Sequence, residues 1–136
     1  MTKKLSKVFG YLGIAIVDTD WHVTLNYFSN STSDDYIKDI LHNAPIGKVV
    51  TIKAIREGSY NGQNFGYLVE LPDEIKPYFQ CKIHNLPHIT TEVRKEGEPV
   101  NTWKCFTGAG KSSPCCINFS GVVTMYYRSG ARFNNF

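Results

Sequence analysis

The chain lacks a hydrophobic run long enough to cross a bilayer. Its longest apolar stretch near the start, YLGIAIV at residues 11–17, falls far short of the roughly 20 residues that a membrane helix needs. The opening MTKKLSK is not followed by a signal-peptide core with a cleavage site, so the expected address is the cytoplasm, with no membrane partner. Blocks of Lys and Arg are absent as well. A net charge of +3 would favour an anionic ligand without demanding long nucleic acid. There are no CxxC pairs: Cys81, Cys105 and the adjacent Cys115 and Cys116 fit neither a zinc ribbon nor a simple disulfide framework, and read as free thiols. Low-complexity segments are missing too. With 42% hydrophobic and 20% charged residues, the 136 positions suit one globular domain, 1–136, too short to divide into two.

Three further signals fall short of the chemistry they suggest. TGAGKSS at 107–113 lacks the first glycine of a phosphate-binding P-loop, because Cys105 stands in its place, and SSPCC follows where a helix should begin. It reads instead as part of a flap in which Lys111 could meet phosphate. Cys81, His84 and His88 make C-x2-H-x3-H, half of a zinc site whose second pair is missing. The carboxylates do not cluster: Asp18 and Asp20 lie in a turn, and Asp34 and Asp35 mark a helix start. The sequence therefore predicts neither a metal nor a cofactor.

What is present is alternation. VFGYLGIAIVD and WHVTLNYF read as two strands around the turn DTD, and NSTSDDYIKDILHNAP as a capped helix with Tyr36, Ile37, Ile40 and Leu41 at helical spacing. KVVTIKAIREGSY and NFGYLVEL are strands around NGQ, and PDEIKPYFQ is a short helix broken at Pro77. PHITTEV and GVVTMYYRS complete the strands, with a loop or flap from about 95 to 117 between them. The order β-β-α-β-β-(α)-β-loop-β predicts an α+β sheet.

Two strand-like runs carry the same word. His22 and Thr24 share one strand face while Val23 and Leu25 take the other, and His88 and Thr90 repeat the arrangement with Ile89 behind them. Two imidazoles and two hydroxyls converging on one groove suit a phosphate. Cleaving a phosphodiester requires a base for the nucleophile and an acid for the leaving oxygen, and histidine can serve as either. Threonine hydroxyls can hydrogen-bond the non-bridging oxygens as charge grows. No metal is required. Glu92 shares the face of the second word by period two.

HVTL at 22–25 and HITT at 88–91, 66 positions apart, resemble the paired His-x-Thr/Ser motifs of the 2H phosphoesterase superfamily over roughly residues 8–128. The small size and the opening FGYLGIAI look most like the phage anti-CBASS phosphodiesterases, which hydrolyse cyclic di- and trinucleotides of bacterial immune signalling. The resemblance implies a compact two-lobed sheet with a central groove and flanking helices. It makes His22 and His88 the acid/base pair and Thr24 and Thr90 the phosphate-binding hydroxyls. Aromatics on which bases stack are then sought at Tyr11 and Trp103, with Phe133 as a lid. The expected activity is metal-independent hydrolysis of a 3′–5′ bond in a cyclic oligonucleotide, in the host cytoplasm if phage-encoded. Alternatives are an RNA-end or 2′–5′-oligoadenylate phosphodiesterase, and a non-catalytic nucleotide-binding sponge.

Overall fold

In the computed structural model, which describes residues 4–132, a helical turn α1 (Leu5–Val8) leads into β1 (Phe9–Ile16) and β2 (His22–Tyr27). These two strands form an antiparallel hairpin around Asp18, which takes a φ of 62°, a left-handed conformation that aspartate tolerates in turns. Helix α2 (Asp34–Asn43) starts where the sequence signals it: the Ser33 side chain accepts from the Tyr36 amide at 3.2 Å, and Asp34 and Asp35 occupy the first turn.

Strands β3 (Val49–Tyr60) and β4 (Asn64–Glu70) are joined through Asn61 and Gly62, both at positive φ, as a tight hairpin turn requires. A 3-10 turn at Lys76–Tyr78 precedes β5 (His88–Val93), and a 3-10 segment, Pro99–Phe106, precedes β6 (Lys111–Tyr127).

The six strands close into a barrel in the order β1-β2-β5-β4-β3-β6, every strand-to-strand pairing antiparallel. This overturns the expected two-lobed α+β sheet with a central groove. The reason lies in β6, which seals the ring by pairing β1 along Gly121–Tyr127 and β3 along Lys111–Val122. Much of the expected 95–117 flap is therefore strand or 3-10 helix. Pro114 is accommodated because it stands opposite Arg56, where β3 shifts register, on a part of β6 paired to β3 alone.

Leu12, Ile14, Val23, Leu25, Ile52, Ile89, Val123 and Met125 fill the barrel and are buried. Helix α2 adds Ile37 and Ile40 to the same cluster. Toward the end opposite Phe28, Trp21, Tyr67 and Phe119 meet with ring centroids 5.6–6.4 Å apart. Among the described residues no helix is long and apolar enough to cross a membrane.

Gly66 faces Thr90 across the β4–β5 pair, beside a register shift, where a Cβ would stand 2.2 Å from the Ile89 carbonyl and 2.8 Å from Thr102 Cγ2. Gly66→Ala is expected to cost about 1–3 kcal/mol. Gly108→Ala, at a position with open space around it, should be nearly neutral. Urea denaturation of both variants checks the contrast.

Candidate active site

Strand β2 meets β5 through the pair Val23–Ile89, both fully buried. With that register fixed, the residues on either side of each take the outer wall of the barrel. His22 stands across from Thr90, and Thr24 across from His88. The four side chains form a rectangle with histidines at one pair of opposite corners and threonines at the other. Directly opposed positions are about 5 Å apart and diagonal ones about 7–8 Å. A diagonal of that length brackets one phosphorus with its oxygens. The flanking wall positions are glycines that neighbouring side chains close over: Gly13, the β1 neighbour of Thr24, lies beneath Tyr126 and Tyr11, and Gly66, the β4 neighbour of Thr90, beneath Thr102.

Aromatic side chains rise on both sides. Tyr11 stacks on Tyr126 at 4.4 Å, and both rings lie beside His22, at 5.3 and 5.6 Å. Beyond the other histidine, Trp103 stacks on His84 at 5.0 Å, and His84 lies 5.5 Å from His88. Tyr11 and Trp103 therefore flank the quartet from opposite sides. Phe133 lies outside the described residues. Tyr126 and His84 were not read as site residues from the sequence. Tyr126 stands directly opposite Tyr11 in the β1–β6 register, which is a signal once the pairing is known. The turn before Pro87 hides His84, because its ring reaches His88 through a loop and not along a helix.

The histidine hydrogen bonds distinguish their ring nitrogens. His88 Nδ1 lies 2.8 Å from the Leu86 carbonyl, which can only accept, so Nδ1 carries a hydrogen and Nε2 of the neutral ring is left with a lone pair. That is the state of a general base. His84 is the converse: its Nδ1 accepts from the Leu86 amide at 3.1 Å. His22 Nε2 shares a hydrogen bond of 3.1 Å with Thr24 Oγ1. Burial lowers the pKa of all three rings. For His22 the neighbouring His88 and Arg132 push the same way; for His84, His88 adds to burial and the value falls to about 4. For His88 the Leu86 carbonyl works against burial by stabilising the cation. On the tyrosine wall burial and Tyr126 push the Tyr11 hydroxyl up to about 12, so it is a neutral donor.

Behind Thr90 lies a buried polar layer. Thr90 donates to Thr102 Oγ1 at 2.9 Å, and the fully buried Thr102 also accepts from Asn64 Nδ2 at 3.2 Å. Asn64 Nδ2 reaches the Glu98 carbonyl at 2.7 Å as well. This layer ties the Trp103-bearing segment to β4 and β5. For Thr90 to donate to a phosphate, Thr102 must become the donor in their shared bond. Both are hydroxyls, so the exchange loses no hydrogen bond.

Other candidates lie apart. Glu92 is ion-paired with Arg94. Lys111 is exposed on β6 next to Ser59, with β3 and β4 between it and β5. Among the described residues no three His, Cys, Asp or Glu side chains gather as a metal ion requires, and the four cysteines are free.

No protein-family profile matches the chain, and no curated protein matches it either. The His-x-Thr resemblance therefore rests on the two words themselves.

NMR titration of the imidazole protons should place the His84 midpoint near 4. Trp103→Ala, which uncovers that ring, should raise the midpoint toward the ordinary value of about 6.5.

Proposed function

We propose that the protein is a two-histidine phosphodiesterase that cuts a 3′–5′ bond of a cyclic oligonucleotide. The observation that carries this reading is the alternation of His and Thr around one rectangle of barrel wall, set by the Val23–Ile89 pair. In-line displacement at phosphorus needs proton acceptor and proton donor on opposite sides of the phosphorus, and opposite corners supply that. The aromatics on both flanks, Tyr11 with Tyr126 and Trp103 with His84, suit bases held on either side of the scissile phosphate.

In this reading His88 Nε2 takes the proton of a ribose 2′-hydroxyl. The 2′-oxygen bonds to phosphorus as the bond to the 5′-oxygen breaks, and His22 gives that leaving oxygen its proton. A 2′,3′-cyclic phosphate results. Water then adds to phosphorus with the roles reversed, which opens the ring and restores both histidines. Thr24 and Thr90 donate to the non-bridging oxygens as their charge grows.

Turnover of a panel of cyclic di- and trinucleotides in EDTA, read by mass spectrometry, tests the proposal. The expected products carry 2′,3′-cyclic or 3′-phosphate ends, and His22→Ala or His88→Ala should each lower kcat by about 10²–10⁴. Cleavage of the 2′-deoxy analogue would overturn the mechanism, and stoichiometric depletion that survives both substitutions would mark a sponge.

The active form holds one proton between two histidines. Both are lowered from the ordinary value of 6.5, so kcat/KM should be bell-shaped with its maximum below about pH 6.5. A rate that climbs to a plateau above pH 8 would rule out the pair as acid and base.

A further inference from the structure

Beyond β6 the chain turns back along the barrel wall. The Gly130 amide donates to the Tyr127 carbonyl at 2.8 Å, the Tyr127 amide donates to the Ala131 carbonyl at 2.8 Å, and Arg132 then pairs antiparallel with Tyr126. Gly130 takes a φ of 92°, which a side chain would resist, so this residue sets the turn. The hairpin delivers Arg132 to the tyrosine flank of the quartet. The bridge sets Arg132 directly beside Tyr126, and its positive charge acts on Tyr11, Tyr126 and His22. The neighbouring Arg128 is occupied differently. It donates to the Ser6 and Phe9 carbonyls and the Tyr27 hydroxyl, closing the hairpin against α1 and the strand ends.

The quartet supplies the scissile phosphate with two hydroxyls and a protonated imidazole from β2 and β5. Arg132 enters from the β6 side, with β1 between β6 and β2 in the ring. At a spacing of about 4.8 Å per strand, the β6 wall is roughly 10 Å from β2. A fixed cation placed there lies outside the His22–His88 rectangle, past His22. An arginine beside a histidine is unfavourable to the histidine's charged form, unless an anion joins them. A phosphate on that flank removes the penalty, and the planar guanidinium fork matches its oxygens.

We propose that Arg132 anchors a second phosphate of the substrate, adjacent to the one being cut, and thereby selects oligonucleotides over nucleotides with a single phosphate. The anchor rests on the two-histidine reading of the quartet. It adds that the substrate spans from His88 past Tyr11 to the C-terminal hairpin, with one anion at each end of that path. Filling the Arg132 position also favours the proton on His22, so the acid is charged when the longer substrate is in place.

The test is binding to the otherwise unaltered protein of two probes that lack the 2′-hydroxyl and so resist cleavage: a cyclic di-2′-deoxynucleotide with two phosphates, and a 2′-deoxynucleoside 3′-monophosphate with one. Arg132→Gln should reduce the ratio of the two affinities by about tenfold, and Arg132→Lys, which keeps the charge without the fork, by less. Equal weakening of both probes, no weakening of either, or failure of the wild type to bind the cyclic probe would each overturn the anchor. Arg132 is exposed, and an unchanged melting temperature confirms that the comparison is between folded proteins. Catalysis is read separately: a wild type that binds with the expected Arg132 dependence but turns nothing over leaves the anchor standing and removes the acid/base assignment.

Discussion

One pair of buried side chains, Val23 on β2 and Ile89 on β5, sets the arrangement of everything outside it. Strand alternation has a period of two, so a slip of one residue at this seam would turn the histidines into the core and the aliphatics out to solvent. The flanking pairings guard against that. Ile14 holds Val23 from β1, and Tyr67 holds Ile89 from β4. The seam itself is narrow: past it Leu25 gives its carbonyl to the Gln80 amide at 2.8 Å, and Asn26 bridges to Gln80 in place of β5. The two histidine words are thus held by hydrophobic packing below them more than by a long ladder between them.

From that constraint follow the different surroundings of the two imidazoles. His88 is backed by the Leu86 carbonyl and by His84, whose ring is covered by Trp103. His22 leans on the tyrosine pair and meets the charge of Arg132. Equivalent in the sequence, the two words are unequal in the fold. The buried Thr90–Thr102–Asn64 layer adds a hydrogen-bonded support under one threonine only.

The strands themselves, their order along the chain and the α2 cap were legible because alternation, turn residues and capping residues are local signals. Closure of the ring was not. Ser112, Ser113, Pro114 and the adjacent Cys115 and Cys116 have the composition of a loop, and only the pairing of Ser112, Ser113, Pro114 and Ile117 with Gly58, Glu57, Arg56 and Ala54 of β3 makes this stretch strand. The paired His-x-Thr words stood out by repetition, and Tyr11 and Trp103 were named from a resemblance. Tyr126, Thr102 and Arg132 were missed because each reaches the quartet through a pairing or hydrogen bond between separate elements, whereas His84 is hidden by the local turn before Pro87. The two-lobed sheet that the resemblance implied did not survive, because β6 bridges what would have been its two halves.

That bridging strand also governs how the molecule is made. β6 pairs with β1 from Phe9–Tyr127 to Ile16–Gly121, and with β3, so the first strand of the ring waits for the last. Contacts of such long range raise contact order and slow folding, since the loop-closure entropy is spent before the pairing repays it. On a ribosome the hairpin of β1 and β2 emerges early with an open, apolar edge, and both histidine words are out before that edge has a partner. A nascent chain therefore carries every member of the quartet for some time without the closed wall that holds them in register, and during that interval the unpaired edge of β1 is the part most exposed to pairing with a neighbouring chain.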